Sequence, residues 1–152
     1  MDIIDSKILN LLQENSRISI SEISSQINLS ISAVSERLKK LETSGIIAQY
    51  TAIINPRKLK KDLAAVMFIN LERPKYADGF LEFVKSENEI LECHYLAGEY
   101  DYMLKIITQG TFTLEALLNR IKSIHGVQET RTIVILSTIK NKYSVTSDEN
   151  IE

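Results

Sequence analysis

Two stretches of this chain hold side chains whose types and spacing could do chemistry. In the first, Ser30, Ser32, Ser35, Glu36, Arg37, Lys39, Lys40 and Thr43 lie among Val34, Leu38 and Leu41, which recur at helical spacing. On a helix over residues 30–44, the side away from Leu38 and Leu41 carries Ser32, Glu36, Lys39, Lys40 and Thr43, with Ser35 and Arg37 on its flanks. Short hydroxyls at a helix start let a phosphate approach free N–H groups, and Arg37, Lys39 and Lys40 supply charge. Such a face suits duplex DNA. Glu36 fits there only by accepting from a cytosine amino group or by staying off the phosphates. A generic amphipathic helix with a solvated polar face would show the same wheel.

The second stretch is Gly98, Glu99, Tyr100 and Asp101. A glycine admits close backbone approach, so nearby N–H groups could hold a carboxylate while Asp101 holds an ammonium. That pairing suits a free amino acid. Read by themselves, without a family to compare, these four residues are a plain hairpin turn.

Other reactive groups are scarce. The chain has two histidines and one cysteine. Cys93 and His94 are adjacent, so on a strand they point to opposite faces, which argues against joint metal ligation. His125 beside Gly126 reads as a helix-end residue near the negative end of the dipole. No glycine-rich nucleotide fingerprint, zinc-protease or paired-cysteine motif occurs. Neither an enzymatic activity nor a metal or resident cofactor is expected.

The elements that must position these stretches follow from periodicity. Ile4, Ile8, Leu11 and Leu12 form one helical stripe, Ile20, Ile23 and Ile27 a second, and Val34, Leu38 and Leu41 a third. Asp2, Ser19 with Glu22, and Ser30 can cap the three helices, and Gly45 can end the last. Residues 46–55 read as extended up to Pro56. The basic run Arg57, Lys58, Lys60 and Lys61 follows, either as a solvated connector or as a secondary phosphate contact.

Beyond it, 64–71, 90–97, 102–108 and 129–139 read as strands, and 76–86 and 111–124 as helices. The order βαββαβ is that of a ferredoxin-like domain. The expected fold is α+β: a three-helix helix-turn-helix over 1–61 with its linker, a ferredoxin-like domain over 62–140, and a disordered tail over 141–152. Both faces of the sheet are apolar. Val66 and Phe68 alternate with Met67 and Ile69, and Val134 adds to a set that two helices on one side cannot cover. A second copy of the chain is the expected cover, which makes the protein at least a homodimer.

Composition agrees. The chain of 152 residues is 44% hydrophobic and 25% charged, as in a soluble globular protein. Its net charge of −2 divides unevenly: residues 1–61 carry nine Lys or Arg against six Asp or Glu, and residues 62–152 nine against fourteen. The basic excess sits with the helices expected to meet DNA. The acidic start has no signal-like pattern, and the longest apolar run, 63–69, is seven residues. A cytoplasmic location without membrane contact is implied.

The residues I-I-D-S-K-I-L-N-L-L from Ile3, then R-I-S-I-S-E-I-S, L-S-I-S-A-V-S-E-R-L-K-K-L-E-T-S-G-I-I and Y-T-A-I-I-N-P, resemble the Lrp/AsnC family of bacterial and archaeal regulators. Further on, E-C-H-Y-L-A-G-E-Y-D-Y-M-L-K-I from Glu92 and T-R-T from Thr130 resemble that family's C-terminal domain. The likeness runs from Asp2 to about Lys140; Ile31 stands where many members carry proline. It implies a transcription regulator binding double-stranded DNA through a winged helix-turn-helix head, dimers formed sheet to sheet, assembly up to octamers, and a small amino acid or related metabolite as effector. The effector would sit at Gly98, Glu99, Tyr100 and Asp101 near a dimer interface, with Thr132, Ile133, Val134 and Ile135 of a partner strand shaping the pocket. Two other readings remain: an architectural DNA-wrapping protein without effector, and a ferredoxin-like effector-binding or enzymatic module whose N-terminal helices make protein contacts.

Overall fold

The computed structural model describes residues 1–143 and Val145. Within them the chain forms two compact units, one beginning at Met1 and reaching Ile53, the other running from Ile54 to Ile139.

The first unit is three helices, α1 (Ile3–Glu14), α2 (Ile20–Ile27) and α3 (Ile31–Thr43). Each starts where a side chain satisfies otherwise orphaned N–H groups. Asp2 and Asp5 form a reciprocal capping box, with Asp5 N donating to Asp2 Oδ1 at 2.8 Å and Asp2 N to Asp5 Oδ2 at 3.2 Å. Ser19 and Glu22 form the second box, and Ser30 Oγ accepts from Ala33 N at 3.2 Å. The turn between α2 and α3 closes through Asn28 in the left-handed region, φ 55, and a bond from Ser24 Oγ to the Leu29 carbonyl. The stripes meet in a core of Ile8, Ile23, Val34, Leu38 and Leu41. Gly45, at φ 75, follows the end of α3 as expected.

After α3 the described residues up to Pro56 form no strand. The extended segment expected over 46–55 is pinned at Ile47 N to Leu41 O and by Tyr50 Oη donating to Glu42 Oε1 at 2.9 Å. An isolated extended segment has no ladder partner. Desolvation, then the bond to Glu42, push the Tyr50 hydroxyl up to about 12.

The second unit opens with a 3-10 turn, Pro56–Leu59, and continues as β1 (Leu63–Leu71), a second 3-10 turn (Pro74–Tyr76), α4 (Ala77–Ser86), β2 (Ile90–Tyr95), β3 (Tyr102–Thr108), α5 (Thr111–Lys122) and β4 (Val127–Ile135). The four strands pair antiparallel in the order β2-β3-β1-β4, the ferredoxin-like sheet. β4 stops at Ile135 rather than at residue 139, because Ile135 pairs with Ala64 at the start of β1 and nothing lies beyond to pair with. Ala65, Met67, Ile69, Leu104 and Ile106 are wholly buried beneath a layer that includes Phe80, Leu117 and Ile121.

On the opposite face Val66, Phe68, Met103 and Ile107 are half-buried and Ile133 is exposed. The uncovered apolar set is therefore smaller than the sequence implied. Met67 and Ile69 belong to the covered face, and Val134 shares it through its pairing with Ala65, although it stays exposed on the edge strand. Of the tail expected over 141–152, residues 144 and 146–152 lie outside the described residues; 141–143 and Val145 are in neither helix nor strand.

Candidate nucleic-acid interface and effector loop

On α3, Val34, Leu38 and Leu41 turn inward, while Ser32, Ser35, Glu36, Lys39, Lys40 and Thr43 are exposed, as is the cap Ser30. Three of the hydroxyls have local partners. Ser30 Oγ and Ser32 Oγ lie 3.1 Å apart, and Thr43 Oγ1 donates to Lys39 O at 2.8 Å. Lys39 and Lys40 have no ion-pair partner among the described residues.

Arg37 is placed differently from the lysines. Its Nη1 donates to Asp2 Oδ2 and to Asp5 Oδ1, both at 2.7 Å. The guanidinium spans the two acids of the α1 capping box and is engaged before any DNA arrives. These charge-assisted bonds hold the guanidinium more firmly protonated than usual. Asp2 is held below the ordinary carboxylate range, first by the Asp5 backbone N–H and then by Arg37. Ile31, the first residue of α3, is 56% exposed beside Ser30 and Ser32, so an apolar side chain joins the polar approach. The only sequence signal for it was its place directly after the cap.

The loop joining β2 to β3 is tied to β1. Asp101 Oδ2 accepts from Leu71 N at 2.8 Å, and Asp101 N donates to Asn70 Oδ1 and to Ile69 O, at 2.9 and 3.0 Å. Asn70 Nδ2 donates to Glu99 O at 3.0 Å. Tyr100 lies against Phe68, with ring centroids 5.3 Å apart. Gly98 and Glu99 are exposed, and a Cβ at Gly98 would meet nothing, so the space above it is open to a ligand or a second chain. Sequence reasoning missed Asn70, whose role depends on strands about thirty residues apart.

Thr132, Ile133, Val134 and Ile135 do not gather around this loop within one chain. Asp101 sits at the level of Ile69, which pairs with Thr130, whereas Ile135 pairs with Ala64 at the other end of β1. Five residues of strand separate Thr130 from Ile135, roughly 17 Å. A groove of about 210 Å³ between α1 and α2, lined by Lys7, Asn10, Leu11, Glu14, Gln26 and Ile27, shares no residue with either candidate. Among the described residues no cluster of His, Cys, Asp and Glu could hold a metal, and no helix is long and apolar enough to cross a membrane.

Three helices with an exposed third, followed by an antiparallel βαββαβ unit, define a transcription regulator with a DNA-binding helix-turn-helix and a ligand-binding domain. Residues 1–48 match the family described as winged helix-turn-helix DNA-binding, and residues 64–145 match the Lrp/AsnC ligand binding domain. The chain belongs to the Lrp/AsnC family. It is 39% identical over 140 residues to the HTH-type transcriptional regulator FL11 of Pyrococcus abyssi, covering 92% of both chains. It is 37% identical over 143 residues to the leucine-responsive regulatory protein of Escherichia coli K12, covering 92% of this chain and 87% of the relative. Among solved structures, a transcriptional regulator from Neisseria meningitidis in complex with L-Met superposes with a TM-score of 0.91 at 33% identity, covering 95% of this chain and 96% of the other.

Proposed function

We propose that this chain is a sequence-specific regulator that binds double-stranded DNA through α3, assembles at least as a homodimer and up to an octamer, and responds to a small amino acid or related metabolite. The observation that carries the DNA half is the exposed, unpaired Lys39 and Lys40 on the polar face of a capped α3. We assign 1–61 to DNA binding with its linker and 62–140 to oligomerisation and effector binding. No catalytic role is assigned, and the cytoplasm is the compartment proposed.

The effector half is supported by the ligand-binding-domain match and by the methionine complex of the Neisseria neighbour. The loop of Gly98, Glu99, Tyr100 and Asp101 supplies one wall. Because Thr132 to Ile135 run away from that loop in the same chain, a site using both draws β4 from a second copy. Asp101 Oδ1, the carboxylate oxygen not bonded to Leu71, is the acceptor proposed for the ammonium.

The test is a thermal-shift screen of the common amino acids on the full chain, followed by DNA-binding isotherms with and without each hit. A ligand at a hundred times its dissociation constant stabilises by about 2.7 kcal/mol, a resolvable shift. Silence across the screen, with DNA binding intact, would remove the effector half and favour the architectural reading.

A further inference from the structure

A second concentration of charge opens the second unit. Arg57, Lys58, Lys60 and Lys61 fall within five residues. None has an ion-pair partner among the described residues, whereas Lys105 and Arg120 of the same unit are paired with Glu92 and Glu87. Arg57, Lys58 and Lys60 are exposed.

The segment is an ordered turn. Pro56 sets its first φ, Asn55 Oδ1 accepts from Arg57 N at 3.1 Å, and the Lys60 and Lys61 N–H groups close back onto Arg57 O and Pro56 O, each at 3.0 Å. Lys60 itself stands at φ 57, in the left-handed region where glycine would be unstrained. The backbone that carries the cations is thus held in one conformation. The remainder of the unit, 62–139, carries seven basic residues against eleven acidic ones, so the turn is a positive patch on an otherwise acidic unit.

We infer that this turn is a second DNA contact, in which Arg57, Lys58 and Lys60 hold phosphates of the duplex flanking the half-site read by α3. The inference rests on the DNA-binding reading above. Tyr50 is tied back to α3 by its bond to Glu42, and the chain from there to Pro56 reaches at most roughly 20 Å. That is less than one 34 Å repeat of the duplex, so DNA beside the half-site is the polyanion within reach of a bound head. The contact would be blind to sequence, since phosphates carry none.

The experiment uses the full chain and a duplex it selects from a random library, once with long flanks and once trimmed to the half-sites. The variant combines R57Q, K58Q and K60G, which keeps Asn55 and Pro56 and relieves the strain at residue 60. Its thermal midpoint should equal or exceed the parent's. On the long duplex the salt-dependence slope should fall by about 0.9 for each phosphate no longer neutralised, between about 2 and 3 for each bound subunit. Hydroxyl-radical protection should recede from the flanks, and on the trimmed duplex the two proteins should bind alike. An unchanged slope and footprint on the long duplex, or an equal loss on the trimmed one, overturns the inference. A parent that shows no salt-dependent binding to any duplex overturns instead the reading on which it rests.

Discussion

Arg37, on the helix expected to enter the groove, is held 2.7 Å from Asp5, which belongs to the capping box of α1. Asp5 is 5% exposed, so removing the guanidinium leaves a buried carboxylate without its counter-charge. Arg37→Ala should destabilise this unit by on the order of 1 to 3 kcal/mol, the partial exposure of Arg37 favouring the lower end. Lys39→Ala and Lys40→Ala should leave stability unchanged and each lower the salt slope of DNA binding by about 1. Denaturant melts and salt titrations of the three variants separate the roles, and a stable Arg37→Ala with a lowered slope would make Arg37 a DNA contact after all.

The caps give the unit an acid limit. Asp2 is held below its ordinary 3.8 by the Asp5 N–H and Arg37, and Glu22 below its ordinary 4.5 by the backbone and side chain of Ser19. A depressed folded value means that the unfolded chain binds more protons in that range. The stabilisation is therefore full above the ordinary values and lost as pH falls through the folded ones. Helix content followed by circular dichroism in moderate urea should hold from about pH 6 to about 5 and decline below about 4. A flat profile would mean that the caps contribute nothing measurable.

These caps were readable in the sequence because each is a short-range pattern: Ser19 with Glu22, and Ser30 ahead of Val34. The order of strands and helices was readable for the same reason, since each element has its own period. Arg37 bonding Asp2 and Asp5, or Asn70 meeting Asp101, joins residues thirty or more positions apart, and no local period encodes that. Register is equally hidden. Nothing local says that Ile135 faces Ala64, so the distance between the loop of Gly98 and the strand of Thr132 emerges only once the strands are paired.

Asp101 can be tested for two roles at once. Asp101→Asn retains an oxygen to accept from Leu71 N and removes the charge, so it should melt close to the parent and lose the amino-acid effector by a few kcal/mol. Asp101→Ala also drops the bond to Leu71 and should cost about 1 kcal/mol of stability. Calorimetric titration beside thermal melts reads both. If the asparagine variant binds the effector as the parent does, Asp101 only holds the loop.

Gly126, at φ 92, lies under the ring of Tyr76, which a Cβ there would overlap. Gly126→Ala combines a strained backbone with a collision and should destabilise the second unit by about 2 to 4 kcal/mol. Adding Tyr76→Gly, which removes the Cβ at 2.4 Å as well as the ring, should return the steric part only, measured against Tyr76→Gly alone. Full recovery in the double variant would show that the backbone conformation carries no cost.

The open face of the sheet offers a test of assembly. A charge at Val66 or Ile133 would be desolvated if another chain covers that face, so Val66→Asp or Ile133→Glu should lower the sedimenting mass of the full protein. An unchanged mass for both would place the contact elsewhere.

The two units keep separate cores, five buried apolar side chains in one and eleven in the other, with none in common. Heating such a molecule need not produce a single cooperative transition. The smaller core should open first, and a calorimetric trace should then show an early shoulder. Amide protons of α1 to α3 should exchange through openings that leave the sheet intact. On a warming cell the consequence is graded: such a chain would let go of DNA while its sheet is still folded, and regain it on cooling by refolding three short helices.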